Sequence, residues 1–114
     1  TAAETDWKAI DQYYRMLEVL SPSPVITLNR AVAVDRCEGP EAALALVEPL
    51  AAPLGGYFHF HGVRGALLMK LGRDRDARAA FDRAISFART PAEATHIRRH
   101  LDTLRRGASA ELGA

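Results

Sequence analysis

Two stretches of this chain repeat each other at a fixed distance, and nothing else in the sequence limits its fold so sharply. Arg30-Ala31-Val32-Ala33-Val34 stands 34 residues before Arg64-Gly65-Ala66-Leu67-Leu68. The same offset pairs Ala43 with Ala77, Val47 with Phe81 and Leu50 with Ala84. A period of this length has room for two short helices and their turns. A unit so small cannot bury its apolar face alone, so it must pack on a neighbour.

Caps and breakers divide the chain into six helical runs. Thr5 or Asp6 is a suitable N-cap, and Trp7, Ile10, Tyr14 and Leu17 follow as one stripe of a helix over about 6–20. Ser21-Pro22-Ser23-Pro24 stops it, and Ser23 caps the next run with Pro24 at its first position, where a missing N–H costs nothing. That run, to about Arg36, is apolar enough to be largely buried. Gly39-Pro40 restarts the chain into a third helix over 41–48, limited by Pro49 and Pro53. After Gly55-Gly56 a fourth spans Tyr57 to Leu71 and ends at Gly72. Asp74 is read as the cap of a fifth, to about Arg89. Thr90-Pro91-Ala92-Glu93 has the form of a capping box and opens a sixth, to about Arg106, with Ile97, Leu101 and Leu104 inward. No segment alternates with period two, so no sheet is expected.

Paired helices with this period resemble the tetratricopeptide repeat. Gly65, Gly72, Ala77, Phe81 and Ala84 fall where that repeat places small, turn, small, large and small residues. Gly65 and Ala77 let two helices approach, and Phe81 fills the space against the next hairpin. Arg64 departs from the pattern by standing where Leu is usual. The expected fold is all-α, with about six helices in antiparallel hairpins as a short TPR-like solenoid over residues 1–106. A flexible tail is expected over 107–114, with the first and last helices as end caps.

The 114 residues suffice for one domain. The lone Cys37 excludes an internal disulfide and fits a reducing, cytoplasmic compartment; no membrane span or signal peptide is visible. Because the chain starts at Thr1 and not Met, it reads as a processed protein or as a fragment of a longer one. Net charge is +1, which gives no strong overall pull on nucleic acid, but its distribution is uneven. Residues 1–56 hold four basic and eight acidic groups, and residues 57–114 hold eleven basic and six acidic. Such a charge dipole orients a domain against a partner.

Few residues invite chemistry. His59 and His61 are two apart, about 200° around a helix, and do not chelate one ion together. His96 and His100, at i and i+4, have zinc-binding spacing but lack further ligands beside them except Glu93. Cys37 lies among acidic neighbours that disfavour a thiolate. No nucleophile–base pair or phosphate-binding glycine loop is present. The expectation is a non-enzymatic chain with no cofactor and no metal. Arg30 and Arg64 occupy one repeat position. They either hold the hairpins together, by pairing with helix carbonyls or with Asp35 or Asp74, or form a basic ladder that grips a partner's carboxylates. Asn29, Arg30, Arg64 and His59 are the candidate partner-binding residues. Arg98, Arg99, Arg105 and Arg106 form a basic cluster on the last helix, read as a solvated face or a contact for an acidic protein.

Thr5-Asp6-Trp7, Ser21-Pro22-Ser23-Pro24-Val25, Leu28-Asn29-Arg30-Ala31-Val32-Ala33, Gly39-Pro40 and Leu71-Gly72-Arg73 occur in this order. In these strings the chain resembles the C-terminal TPR-like extension of bacterial extracytoplasmic-function RNA polymerase sigma factors, over about residues 4–106. The resemblance implies a regulatory protein-interaction domain that modulates promoter-dependent transcription. Its partners would be the sigma regions of the same chain, RNA polymerase or a regulator. DNA would be met only through N-terminal regions outside this sequence, and no membrane is involved. The matching positions are Asn29, Arg30, Gly39 and Pro40, the last two shaping a turn. The alternative is a free-standing TPR adaptor for peptide segments.

Overall fold

In the computed structural model, residues 6–113 are described, with side chains from 6 to 107. Among the described residues the fold is all-α, without a strand. The helices are α1 (Trp7–Leu20), α2 (Pro24–Glu38), α3 (Pro40–Val47), α4 (Ala51–Leu54), α5 (Phe58–Lys70), α6 (Asp74–Phe87) and α7 (Pro91–Gly113), with a 3-10 turn at Glu48–Leu50. The contacts divide the chain into two units, Thr1–Gly55 and Gly56–Ala114.

In the first unit Asp6 caps α1 by accepting the Ala9 N–H at 3.0 Å; the alternative cap, Thr5, lies outside the described residues. Ser23 caps α2 at the Val25 N–H (3.3 Å), with Pro24 following as expected. The α2 helix packs on both α1 and α3. It buries Leu28, Ala31, Ala33 and Val34, against which α3 sets Ala43, Leu44 and Val47. Gly39 alone joins α2 to α3, at φ +96°, where a side chain would be strained. The third helix ends at Val47, ahead of Pro49 as expected. A 3-10 turn and the single turn of α4 follow it, and Pro49 and Pro53 each sit in a first turn, where no N–H is required.

In the second unit α5 and α6 form a hairpin against which α7 packs. Its turn is a Schellman motif: the Arg73 N–H reaches the Leu68 carbonyl (3.0 Å) and the Gly72 N–H the Met69 carbonyl (3.1 Å), with Gly72 at φ +75°. Asp74 is not the cap of α6. Arg73 holds that position, without a side-chain bond, and Asp74 is the first helical residue, where its charge meets the helix dipole. Phe60, Leu67, Leu68, Ala77, Phe81, Ala84, Ile97 and Leu104 are the core. Phe81 packs inside its own hairpin: a Cβ on Gly65 would lie 2.6 Å from the ring.

The 34-residue offset is carried through to the backbone. The α2 and α5 helices start at Pro24 and Phe58, and α3 and α6 at Pro40 and Asp74, each pair 34 apart. The boundary placed at Arg106 is not a helix end, because α7 continues through Gly107 to Gly113. Ala108, Ala110, Glu111 and Leu112 are strong helix formers, which offset the single glycine.

Candidate functional site

The candidate residues fall in separate places. Asn29 and Arg30 lie on α2 in the first unit, and His59 and Arg64 on α5 in the second. Five residues separate His59 from Arg64, which puts them about 140° apart around α5. The structure therefore assembles no common cluster from these four within either unit.

Arg30 is the centre of a charged network between α1 and α2. Its Nε donates to Asp11 Oδ1 at 2.9 Å and its Nη1 to Glu18 Oε1 at 3.2 Å. Arg15 Nε donates to the other Asp11 oxygen (3.0 Å), and the Thr27 hydroxyl to the other Glu18 oxygen (2.9 Å). The Arg30 and Asp11 side chains are only 16% and 12% exposed, so the pair is largely removed from water. Burial alone would raise the Asp11 carboxyl. The hydrogen bonds from Arg30 and Arg15, and then their charges, outweigh it and hold the pKa below the ordinary 3.8. Burial would lower the Arg30 pKa, and the bond it donates to Asp11 and the charges of Glu18 and Asp11 raise it instead.

The expected partners of Arg30, Asp35 or Asp74 or helix carbonyls, are thus replaced by Asp11 and Glu18 of the preceding helix. A signal for this was present: two acids seven residues apart interrupt the apolar stripe of α1 on the side that faces α2. Asn29 is half-buried beside the network. Arg64, at the position equivalent to Arg30, is also half-buried.

The second unit brings several rings together. His61, buried, stacks on Phe87 with centroids 5.5 Å apart, and the Arg83 guanidinium lies over Phe87 at 5.6 Å. His100 stacks on Phe81 (4.9 Å, 5° between planes) and meets His96 edge-on at 4.9 Å. Burial first, and the His96 charge second, push the His100 pKa below 6.5. His59 points elsewhere than His61, as their spacing requires. It is exposed, yet Tyr57 stands edge-on to it at 6.1 Å, and local desolvation lowers its pKa from 6.5. His59 lines a recess of about 290 Å³ with Tyr57, Phe58, Phe87, Arg89 and Glu93.

Thr90 and Glu93 act as expected at the start of α7. The Glu93 N–H bonds the Thr90 hydroxyl (3.1 Å), and the Glu93 carboxylate reaches back to the Arg89 N–H (2.8 Å), one residue beyond the usual target. Arg98, Arg99, Arg105 and Arg106 are exposed on α7, and Arg105 pairs with Asp102 at 3.1 Å. Cys37 is free and exposed at the end of α2. Sequence reasoning missed the outer face of α1, where Tyr13, Met16, Val19 and Leu20 are exposed. Among the described residues no helix is long and apolar enough to cross a membrane.

No family model matches the chain. It is similar to an uncharacterized protein of Rhizobium meliloti (strain 1021), with 61% identity over 101 residues. The match takes in 89% of this chain and 24% of that protein, so the chain spans about a quarter of the relative's length.

Proposed function

We propose that this chain is the regulatory protein-interaction portion of an extracytoplasmic-function RNA polymerase sigma factor, cytoplasmic and non-enzymatic. It modulates promoter-dependent initiation by docking to sigma regions, polymerase or another protein. The observation that carries the docking role is the division of labour on α1. Its acids are consumed internally by Arg30, while four large apolar side chains face outward. An arrangement of that kind binds surfaces and offers no reacting group.

The sigma assignment is supported by the sequence strings. They coincide with architectural points of the chain: Ser21-Pro22-Ser23-Pro24 is the α1–α2 turn, Arg30 the network centre, Gly39-Pro40 the α2–α3 joint and Leu71-Gly72-Arg73 the α5–α6 turn. The longer relative supports the role of an appendage to other domains. The test is transcription from a cognate promoter by the full polypeptide with and without residues 1–113. Loss or deregulation on deletion is expected, and unchanged transcription would sink the proposal.

A further inference from the structure

The outer face of α1 is built the wrong way round for an ordinary surface helix. Tyr13, Met16, Val19 and Leu20 are 54%, 52%, 82% and 73% exposed. At 100° per residue, Ala9, Tyr13, Met16 and Leu20 fall within about 60° of one another, with Val19 at the margin. The acids Asp11 and Glu18 lie on the opposite side, bonded to Arg30 of α2. Single exposed apolar residues are ordinary, but a contiguous strip of them is what a protein partner covers.

The margins of the strip identify the partner's chemistry. One edge carries Lys8 and Arg15, two helical turns apart. Arg15 gives its Nε to Asp11 and is 57% exposed, and with Lys8 it lines a recess that also holds Cys37 and Glu38 of α2. The other edge is the half-buried apolar pair Ile10 and Leu17. Asp6, bonded to the Ala9 N–H, is a single acid at the N-terminal end of α1 against the two bases. The strip is therefore apolar with one basic edge. A second copy of the chain fits it poorly. Antiparallel pairing of two α1 helices sets like edges together, Lys8 and Arg15 against Lys8 and Arg15, and parallel pairing sets them against the apolar edge.

We infer that the outer face of α1 seats an amphipathic helix with an acidic edge, contributed by the part of the same polypeptide outside residues 1–114. The inference rests on the sigma-factor reading for the existence of that part, in keeping with a relative about four times as long as the match. Apolar residues at i, i+3 or i+4, and i+7 of the incoming helix would cover Tyr13, Met16 and Leu20. Its acids would meet Lys8 and Arg15.

A photo-cross-linking residue placed at Met16 of the full polypeptide tests this, with a second placed at the exposed Arg78 as control. The expected product is an intramolecular cross-link from position 16, but not 78, to an Asp- or Glu-bearing helix outside residues 1–114. Lys8→Glu should lower its yield about threefold at low salt, and less at high salt. Leu20→Ser should lower it while far-UV circular dichroism stays unchanged. A cross-link between two copies, to a segment without acids, or to nothing overturns the inference. Promoter-dependent transcription separates this outcome from the parent proposal. A cross-link with transcription indifferent to deletion of residues 1–113 removes the sigma reading alone. Deletion-sensitive transcription without the cross-link removes the α1 seat alone.

Discussion

In the first unit α2 is tied to its neighbour by charge: Asp11, Arg15, Glu18 and Arg30 share one network across α1 and α2. In the second unit the equivalent helix, α5, is held by a missing Cβ at Gly65 and a ring at Phe81. The helix starts match at 34-residue spacing, so α2–α3 and α5–α6 are the equivalent pairs and the charge network with α1 stands outside them. The matching positions trade volume. Ala31 and Val47 in the first unit become Gly65 and Phe81 in the second, so volume removed from one helix is added to the other. The net charge follows the same division, with an acidic surplus before Gly56 and a basic surplus after it. A repeat can thus conserve its backbone register while moving volume from one helix of the pair to the other.

The comparison makes its largest prediction at Arg30. Arg30→Met removes the cation, leaving Asp11 with Arg15 alone and Glu18 with only the Thr27 hydroxyl, at an expected cost of about 3 kcal/mol in urea unfolding. Adding Asp11→Asn and Glu18→Gln should recover a large part of it, because the stranded charges go too. Equal losses in the single and triple variants would show that the network is not what ties α1 to α2.

Gly65→Ala comes next, at about 1–3 kcal/mol, since the new methyl meets the Phe81 ring. Combining it with Phe81→Val recreates the Ala31/Val47 pairing of the first unit. The double variant should be more stable than the sum of its parts, and simple additivity would break the equivalence drawn here. Thr90→Ala should cost about 1 kcal/mol through the lost α7 cap, with a similar loss for Ser23→Ala at α2.

The smallest effect is titration, and it separates the units by pH. His100 and His59 have folded pKa values below 6.5, so the unfolded chain takes up the protons first. Stability of the second unit should therefore be full above about 6.5 and fall as pH drops through that value. Asp11 is depressed below 3.8, so its contribution is present above that pH and disappears only on further acidification. Amide exchange at pH 7.5, 5.5 and 3 should report α6–α7 loosening before α1–α2; the reverse order would contradict the assignment.

Much of this architecture was legible in residue order. Ser23-Pro24, Gly39-Pro40, Gly72 and Thr90-Pro91 mark helix starts and stops because capping and positive φ are decided within a few residues. Pro49 marked the end of α3 at Val47, but residue order did not announce the 3-10 turn and α4 that follow, which hold both prolines in first turns. Asp74 misled because a cap is a backbone conformation, and Arg73 adopts it without any side-chain bond. The candidate site was less legible. Arg30 was singled out by its repeat position, but Asp11 and Glu18 lie 19 and 12 residues away, and the choice among acids depends on how α1 rolls against α2. The outer strip of α1 was hidden for the same reason. A helix that carries more apolar residues than its own hairpin can cover does not declare from sequence which of them stay outside.

The one-residue joint at Gly39 makes α2 and α3 intolerant of length change. An insertion there would lengthen a joint that has no spare residue and shift α3 against α2, disturbing the seating of Ala43 and Val47 in the core. The same insertion between Gly55 and Gly56 would leave the phase of every helix within each unit untouched. Additions and deletions among homologues should accordingly collect at the double glycine and spare Gly39-Pro40.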